Sequence, residues 1–261
     1  MNMIDALLAW LGTPISGAAE HAIAPAVAWH ARLMVAAWAI AVPLAILIAR
    51  FYKVTPRQRW PEELDNTFWW HSHRRLNYAA LAATAVGLWL VWGASGRSDT
   101  LFRIHTLAGW SVLALAAVQL AGAHLRGSKG GPTAPRLAAD GSIIDLHGDH
   151  YDMSPQRVWF ERVHKAAGYA ALILSVCTIV AGLALADAPR WMWLVIGLWW
   201  LVLCILAIHL QAAGRCLDTY QAIWGPDPRH PGNARAPVGW GIRRKAAPVT
   251  AVDGEPIARS R

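Results

Sequence analysis

WHARLMVAAWAIAVPLAILIAR, residues 29–50, decides the fold. It is a histidine followed by some five helical turns of Ala, Val, Leu, Ile, Met and Trp, broken only by Arg32 and Pro43. A bilayer core of about 30 Å needs about 20 apolar residues in a helix, and this stretch supplies them. Four more read alike, so that spans are placed at 27–49, 71–92, 102–124, 161–184 and 190–212. Pro43 is expected to bend the first span near its inner end. Composition agrees: of 261 residues, 56% are hydrophobic and only 15% charged, with 16 Trp, which excludes an ordinary soluble domain. The expected fold is all-α, an integral membrane bundle with a four-helix core and a fifth transmembrane helix, in contact with lipid.

The connections are polar. They comprise 50–68, a short turn around Gly93–Thr100, a long loop at 125–158 and a tight turn at Asp187–Pro189. From Gly214 the chain is rich in Pro, Gly and Arg, and the last 15 or so residues read as disordered. Three parts follow: an interfacial segment 1–26, a transmembrane domain 27–212 and a tail 213–261. The opening MNMIDALLAWLG lacks a basic start and is too short to span. Ile4, Leu7, Leu8 and Leu11 share one face, as in a short interfacial helix.

Charge sets orientation. Of 24 Lys and Arg, 20 lie in 50–75, in 125–165 or beyond 214, all on one side of a five-span chain. The positive-inside rule then puts the N-terminus outside and the C-terminus in the cytoplasm. The net charge of +8 lies in loops and tail rather than on a basic-aromatic face, so nucleic acid is not an expected partner. Cys177, Cys204 and Cys216 form neither a disulfide framework nor a CxxCH string for covalent haem, and read as small apolar helix residues.

Four spans open with a histidine: His30, His73, His105 and His164. Ionisable side chains inside a membrane mark function by default. Spans one and three run inward, so His30 and His105 lie near the outer face; two and four run outward, so His73 and His164 lie near the inner face. Two pairs on diagonal helices of a bundle are a ligand set for two non-covalent, bis-His haem b groups. Gly109 and Gly168 follow His105 and His164 by four residues, on the same face, where they leave room for a porphyrin or serve close helix packing. His71 competes with His73 but points about 200° away from it. The stripe through Ala80 and Thr84 favours His73. His124 and His209 lie at helix ends favoured for cations. His147 and His150, in DLHGDHYDM, lack a compelling metal spacing. Arg50, Arg74 and Lys165 are the basic residues expected near the inner site, facing haem propionates. The fifth span, rich in Trp but lacking an opening histidine, should buttress the bundle from the lipid side, with the tail (Tyr220, Trp224 and the Pro226–Pro228 turn) beneath the inner site.

These strings resemble the eukaryotic-type cytochrome b561 family, in its bacterial form without a DOMON domain, over roughly residues 27–212. The family's His-Gly-x-Leu-Met and Ala-Arg-Tyr correspond to His30-Ala-Arg-Leu-Met34 and Ala49-Arg50-Phe51-Tyr52. Trp69, His73 and Asn77 resemble its second core helix, with Asn replacing Gln. His105-x3-Gly109 with Gln119 resembles the third. His164-x3-Gly168 with Ala181-Gly182-Leu183 resembles the fourth. The resemblance implies a di-haem b protein passing electrons across the bilayer, from a small-molecule or protein donor on one face to an acceptor on the other. Eukaryotic members take electrons from ascorbate and reduce monodehydroascorbate or ferric iron, which would make the chain a transmembrane oxidoreductase. A homodimer is left open. Two alternatives are a quinol-handling cytochrome b subunit of a larger complex and a non-redox transporter whose histidines relay protons or bind metal.

Overall fold

The histidine-led stretch at 29–50 is helical throughout but not uniformly α. α2 (Pro25–Met34) passes into a π-helical segment, Val35–Ala41, and α3 (Val42–Phe51) continues it. The cause is Pro43, which has no N–H to give the carbonyl one turn earlier and crowds it. That carbonyl, on Ala39, accepts instead from the indole Nε1 of Trp199 at 2.7 Å. The distortion therefore precedes Pro43 and fills the middle of the span, where the sequence places a bend near the inner end. In this computed structural model, residues 2–19, 22–93, 99–127, 136–137, 139–140, 143–145 and 153–246 are described. His147 and His150 lie outside them, as do the last 15 residues.

Four long helices follow this span: α4 (Phe68–Val91), α5 (Thr100–His124), α6 (Pro155–Leu185) and α7 (Arg190–Ala212). Residues 25–51, α5, α6 and α7 are long and apolar enough to cross a membrane, and the chain is a multi-pass membrane bundle. α4 is as long, at 24 residues, but falls short on composition because His71, His73, Arg74, Arg75 and Asn77 crowd its first half. α5 is capped by the Asp99 carboxylate, which accepts from Phe102 N at 2.9 Å. Ser154, with Pro155 in the first turn, caps α6. Two short strands, β1 (Arg136–Leu137) and β2 (Ile143–Asp145), pair antiparallel between α5 and α6.

Two antiparallel hairpins make the core. α4 packs on α2–α3, bringing Gly87 to His30, Thr84 to Trp38 and Ala45 to His73. α6 packs on α5, bringing Thr178 to His105 and His164 to Gln119. Small residues at the seam, Ala37, Ala39, Ala80 and Ala171, let the backbones approach around Trp38, Val112 and Ile179.

α7 lies outside, as the sequence indicates. One face joins Leu47 and Phe51 through Leu203 and Leu210, and the other leaves Leu198, Leu201, Ile205 and Ile208 exposed to lipid. α1 (Met3–Gly12) buries nothing, and Met3, Ile4, Leu7 and Leu8 are exposed. It is tied to the start of α7 by Arg190, which bonds to Trp10 O and Thr13, and Ser16 bonds to Asp187 in the turn after α6.

The tail packs against the His73–His164 end of the bundle. α8 (Thr219–Trp224) is buried almost throughout, as are Cys216 and Leu217. Arg244 holds it: Nε donates to Asp218 at 2.6 Å and the two Nη donate to carbonyls of Gly232 and Asn233. Cys216 therefore lies in a packed connection, not in a helix; Cys177 and Cys204 do lie in helices, and all three are free.

Candidate functional site

The bundle brings the four histidines together in two pairs, each across the two hairpins. His30 and His105 have ring centres 6.3 Å apart at 72°, and His73 and His164 have theirs 6.1 Å apart at 69°. In three of the four rings Nδ1 meets a main-chain carbonyl of the antiparallel neighbour. His30 bonds to Gly87 O at 2.9 Å, His73 to Ala45 O at 3.0 Å and His105 to Thr178 O at 3.0 Å. These bonds make Nδ1 the donor, so Nε2 carries the lone pair, which in His73 Asn77 Nδ2 approaches at 3.5 Å. His71 is exposed, and the register through Ala80 and Thr84, both buried, is the one the sequence favours.

Helix pairing fixes the spacing of the two layers. His73 and Gly87, which reaches His30, are 14 residues apart on α4, and His164 and Thr178, which reaches His105, are 14 apart on α6. At 1.5 Å per residue both hairpins put the layers about 21 Å apart. Trp38 fills the interval, its indole donating to Thr84 Oγ1 at 3.0 Å.

Beside His73 and His164 lies a cavity of about 270 Å³, which Arg50, Arg74, Lys165 and Gly168 all line. Arg50 donates to Tyr169 Oη at 2.9 Å, to Gln211 Oε1 at 2.9 Å and to Trp240 O at 3.1 Å, with its guanidinium over the Trp240 ring. Lys165 donates to Glu161 at 2.9 Å and to Val238 O at 2.6 Å, and Glu161 also takes Arg157 at 3.1 Å. Arg74 stands over Trp70. The tail thus closes over this layer: Gly239 and Gly241, both at positive φ, flank Trp240 and hold it against Arg50.

Lys53 lines the same cavity and is buried, donating to Leu217 O at 3.0 Å. Desolvation, and next the charge of Lys165, push its ammonium down to about 8, against the opposing pull of Cys216, Glu161 and Asp218.

Of the two glycines four residues after a histidine, Gly168 lines the cavity beside His164, and both meet a neighbouring helix. A Cβ at Gly109 would meet Thr178 at 3.8 Å, and one at Gly168 would meet Gln119 Nε2 at 3.4 Å, so both face the neighbouring helix. The glycines that touch imidazoles are Gly182, where a Cβ would come 3.1 Å from His105 Cε1, and Gly87, where it would come 3.7 Å from His30 Nδ1 and 2.5 Å from Met34 Cε. Sequence reasoning did not assign these two, nor Lys53 and Trp240. The available signal was a glycine one span away from a histidine, on the antiparallel partner.

Comparison with family models, curated proteins and solved structures gives no match.

Proposed function

We propose that the chain is a di-haem b membrane protein that passes electrons from one face of the bilayer to the other, in the manner of the cytochrome b561 family it resembles. The carrying observation is the two cross-bundle histidine pairs, in separate layers, with Nδ1 turned to main-chain carbonyls in three of four rings. Ligand bonds of about 2 Å to one metal ion put facing imidazole centres about 6 Å apart, the separation found in both pairs. Nδ1 on a carbonyl is the usual support of a ligating histidine. Among the described residues no group of three or more His, Cys, Asp or Glu comes together. Two protein ligands per layer therefore suit an ion whose other ligands belong to a macrocycle, as in haem.

When bound, haem supplies a reversible one-electron couple. The chain's residues orient the imidazoles, exclude water with the apolar seam around Trp38, and offer Arg50, Arg74 and Lys165 to anionic propionates beside His73 and His164. Arg74 and Arg126 both stand over Trp70, and Arg157 and Lys165 share Glu161, so described basic residues of 50–75 and 125–165 gather at the His73 end. That supports a cytoplasmic inner layer and an N-terminus on the opposite face, which is periplasmic if the membrane is the bacterial inner membrane that the resemblance implies. Donor and acceptor are then small molecules or proteins, one at each face.

A quinol-handling subunit would use the same layers. It is favoured by Trp69, Trp70 and Tyr78, which line the cavity from α4. A proton relay or transporter is disfavoured because the interval between the layers is filled by Ala37, Trp38, Val42, Ala80 and Ile179.

An absorption spectrum of the purified protein tests the reading. It should show a reduced b-type signal with about two haems per chain. His30→Ala or His105→Ala should remove one haem, and His73→Ala or His164→Ala the other. Protein free of haem refutes both the electron-transfer and the quinol readings.

A further inference from the structure

Three histidines share one device for fixing their rings, and His164 lacks it. Its Nδ1 is buried without a hydrogen-bond partner. So is Oε1 of Gln119, on the facing helix α5. The amide of Gln119 is already held at this histidine, since Nε2 donates to His164 O at 2.8 Å. Gly168, one turn beyond His164, keeps the space open, for a Cβ there would lie 3.4 Å from the same Nε2. One buried donor and one buried acceptor are thus left over on two residues that already touch. An unpaired polar atom in an apolar interior is costly, and each is what the other lacks.

We propose that Gln119 is the positioning residue of His164, its Oε1 accepting from Nδ1–H where a main-chain carbonyl serves the other three rings. This rests on the haem reading above. Phe160, tilted against the His164 ring with centres 5.0 Å apart, packs the same imidazole and leaves the hydrogen bond to set its rotation. An acceptor on Nδ1–H makes a ligating imidazole more basic and favours the oxidised metal. One layer therefore has its redox potential set by a replaceable side chain, whereas the other is set by main-chain carbonyls.

A redox titration of the purified, two-haem protein tests this. The two potentials are first assigned with His30→Ala and His73→Ala. Gln119→Met, of similar shape but without an amide acceptor, should raise the potential of the His73–His164 site and leave the other unchanged. Gln119→Glu, which keeps an acceptor oxygen, should hold that potential at or below the wild-type value. An unchanged potential in Gln119→Met, or an equal rise in both variants, overturns the assignment. If Gln119→Met is not recovered folded, Gln119→Glu decides alone: a rise overturns the proposal, and a value at or below wild type supports it. A chain without haem fails the functional reading itself, whereas two haems with unmoved potentials fail only the role of Gln119.

Discussion

Replacing Trp199 by Phe keeps an aromatic ring in place and removes one indole N–H. That donor serves the Ala39 carbonyl, which Pro43 leaves without its helical partner. Two losses follow. The smaller ring leaves space beside Leu47 and Leu203, and a carbonyl in an apolar seam is left unsatisfied. The second loss is worth about 1–2 kcal/mol, between the mean for hydrogen bonds inside membranes and the cost of an orphaned buried group. The two separate in a double-mutant cycle with Pro43→Ala, which returns an N–H to the turn that Ala39 faces. Trp199→Phe should lower the thermal unfolding midpoint in detergent, and the drop should shrink by that coupling when Pro43→Ala is present. The packing loss is common to both backgrounds and cancels. An equal drop in both would show that the indole bond does not substitute for the proline's missing donor, and the account of the π-helical segment would fall.

Other outcomes follow from the same structure. Gly182→Val should displace the His105 ring, since a Cβ alone would come 3.1 Å from Cε1; on the proposed di-haem reading the expected loss is one haem signal, with that of the His73 layer retained. Lys53 titrates near 8 when folded against an ordinary 10.5, so the unfolded chain binds more protons between those values and stability should rise with pH across that window. The full effect is about 3 kcal/mol. Lys53→Met should abolish that rise in thermal midpoint, and a rise that persists in the variant would assign it to other groups.

How much was legible in the sequence depended on whether a contact lay within a helix or across two. Helix periodicity and a stripe through Ala80 and Thr84 were enough to choose His73 over His71, because both clues sit on one helix. Alternation of helix direction was enough to sort the histidines into layers. Gly87 and Gly182 escaped because each meets an imidazole on another helix, and that needs the register of two hairpins. The same holds for Pro43. A distortion was expected, but its form depends on Trp199, far along the chain on α7. At the tail, the abundance of Pro, Gly and Arg gave no sign of how tightly the chain packs beneath the His73 end. Arg244 gathers Asp218 and the carbonyls of Gly232 and Asn233, and α8 is buried under them. The polar start of α4 is a milder case: His73 and Asn77 turn inward to the site, so average apolarity underrates the helix.

The Gly-Trp-Gly turn at 239–241 gives the two layers different histories during synthesis. The carbonyls that hold His30 and His105, Gly87 O and Thr178 O, belong to residues made before the end of α6. The mouth of the His73–His164 cavity receives Val238 on Lys165 and Trp240 on Arg50 only when residues 238–240 have left the ribosome. The cavity beside His73 and His164 therefore stands open until then, and whatever occupies it has until then to enter from the side that the tail will cover.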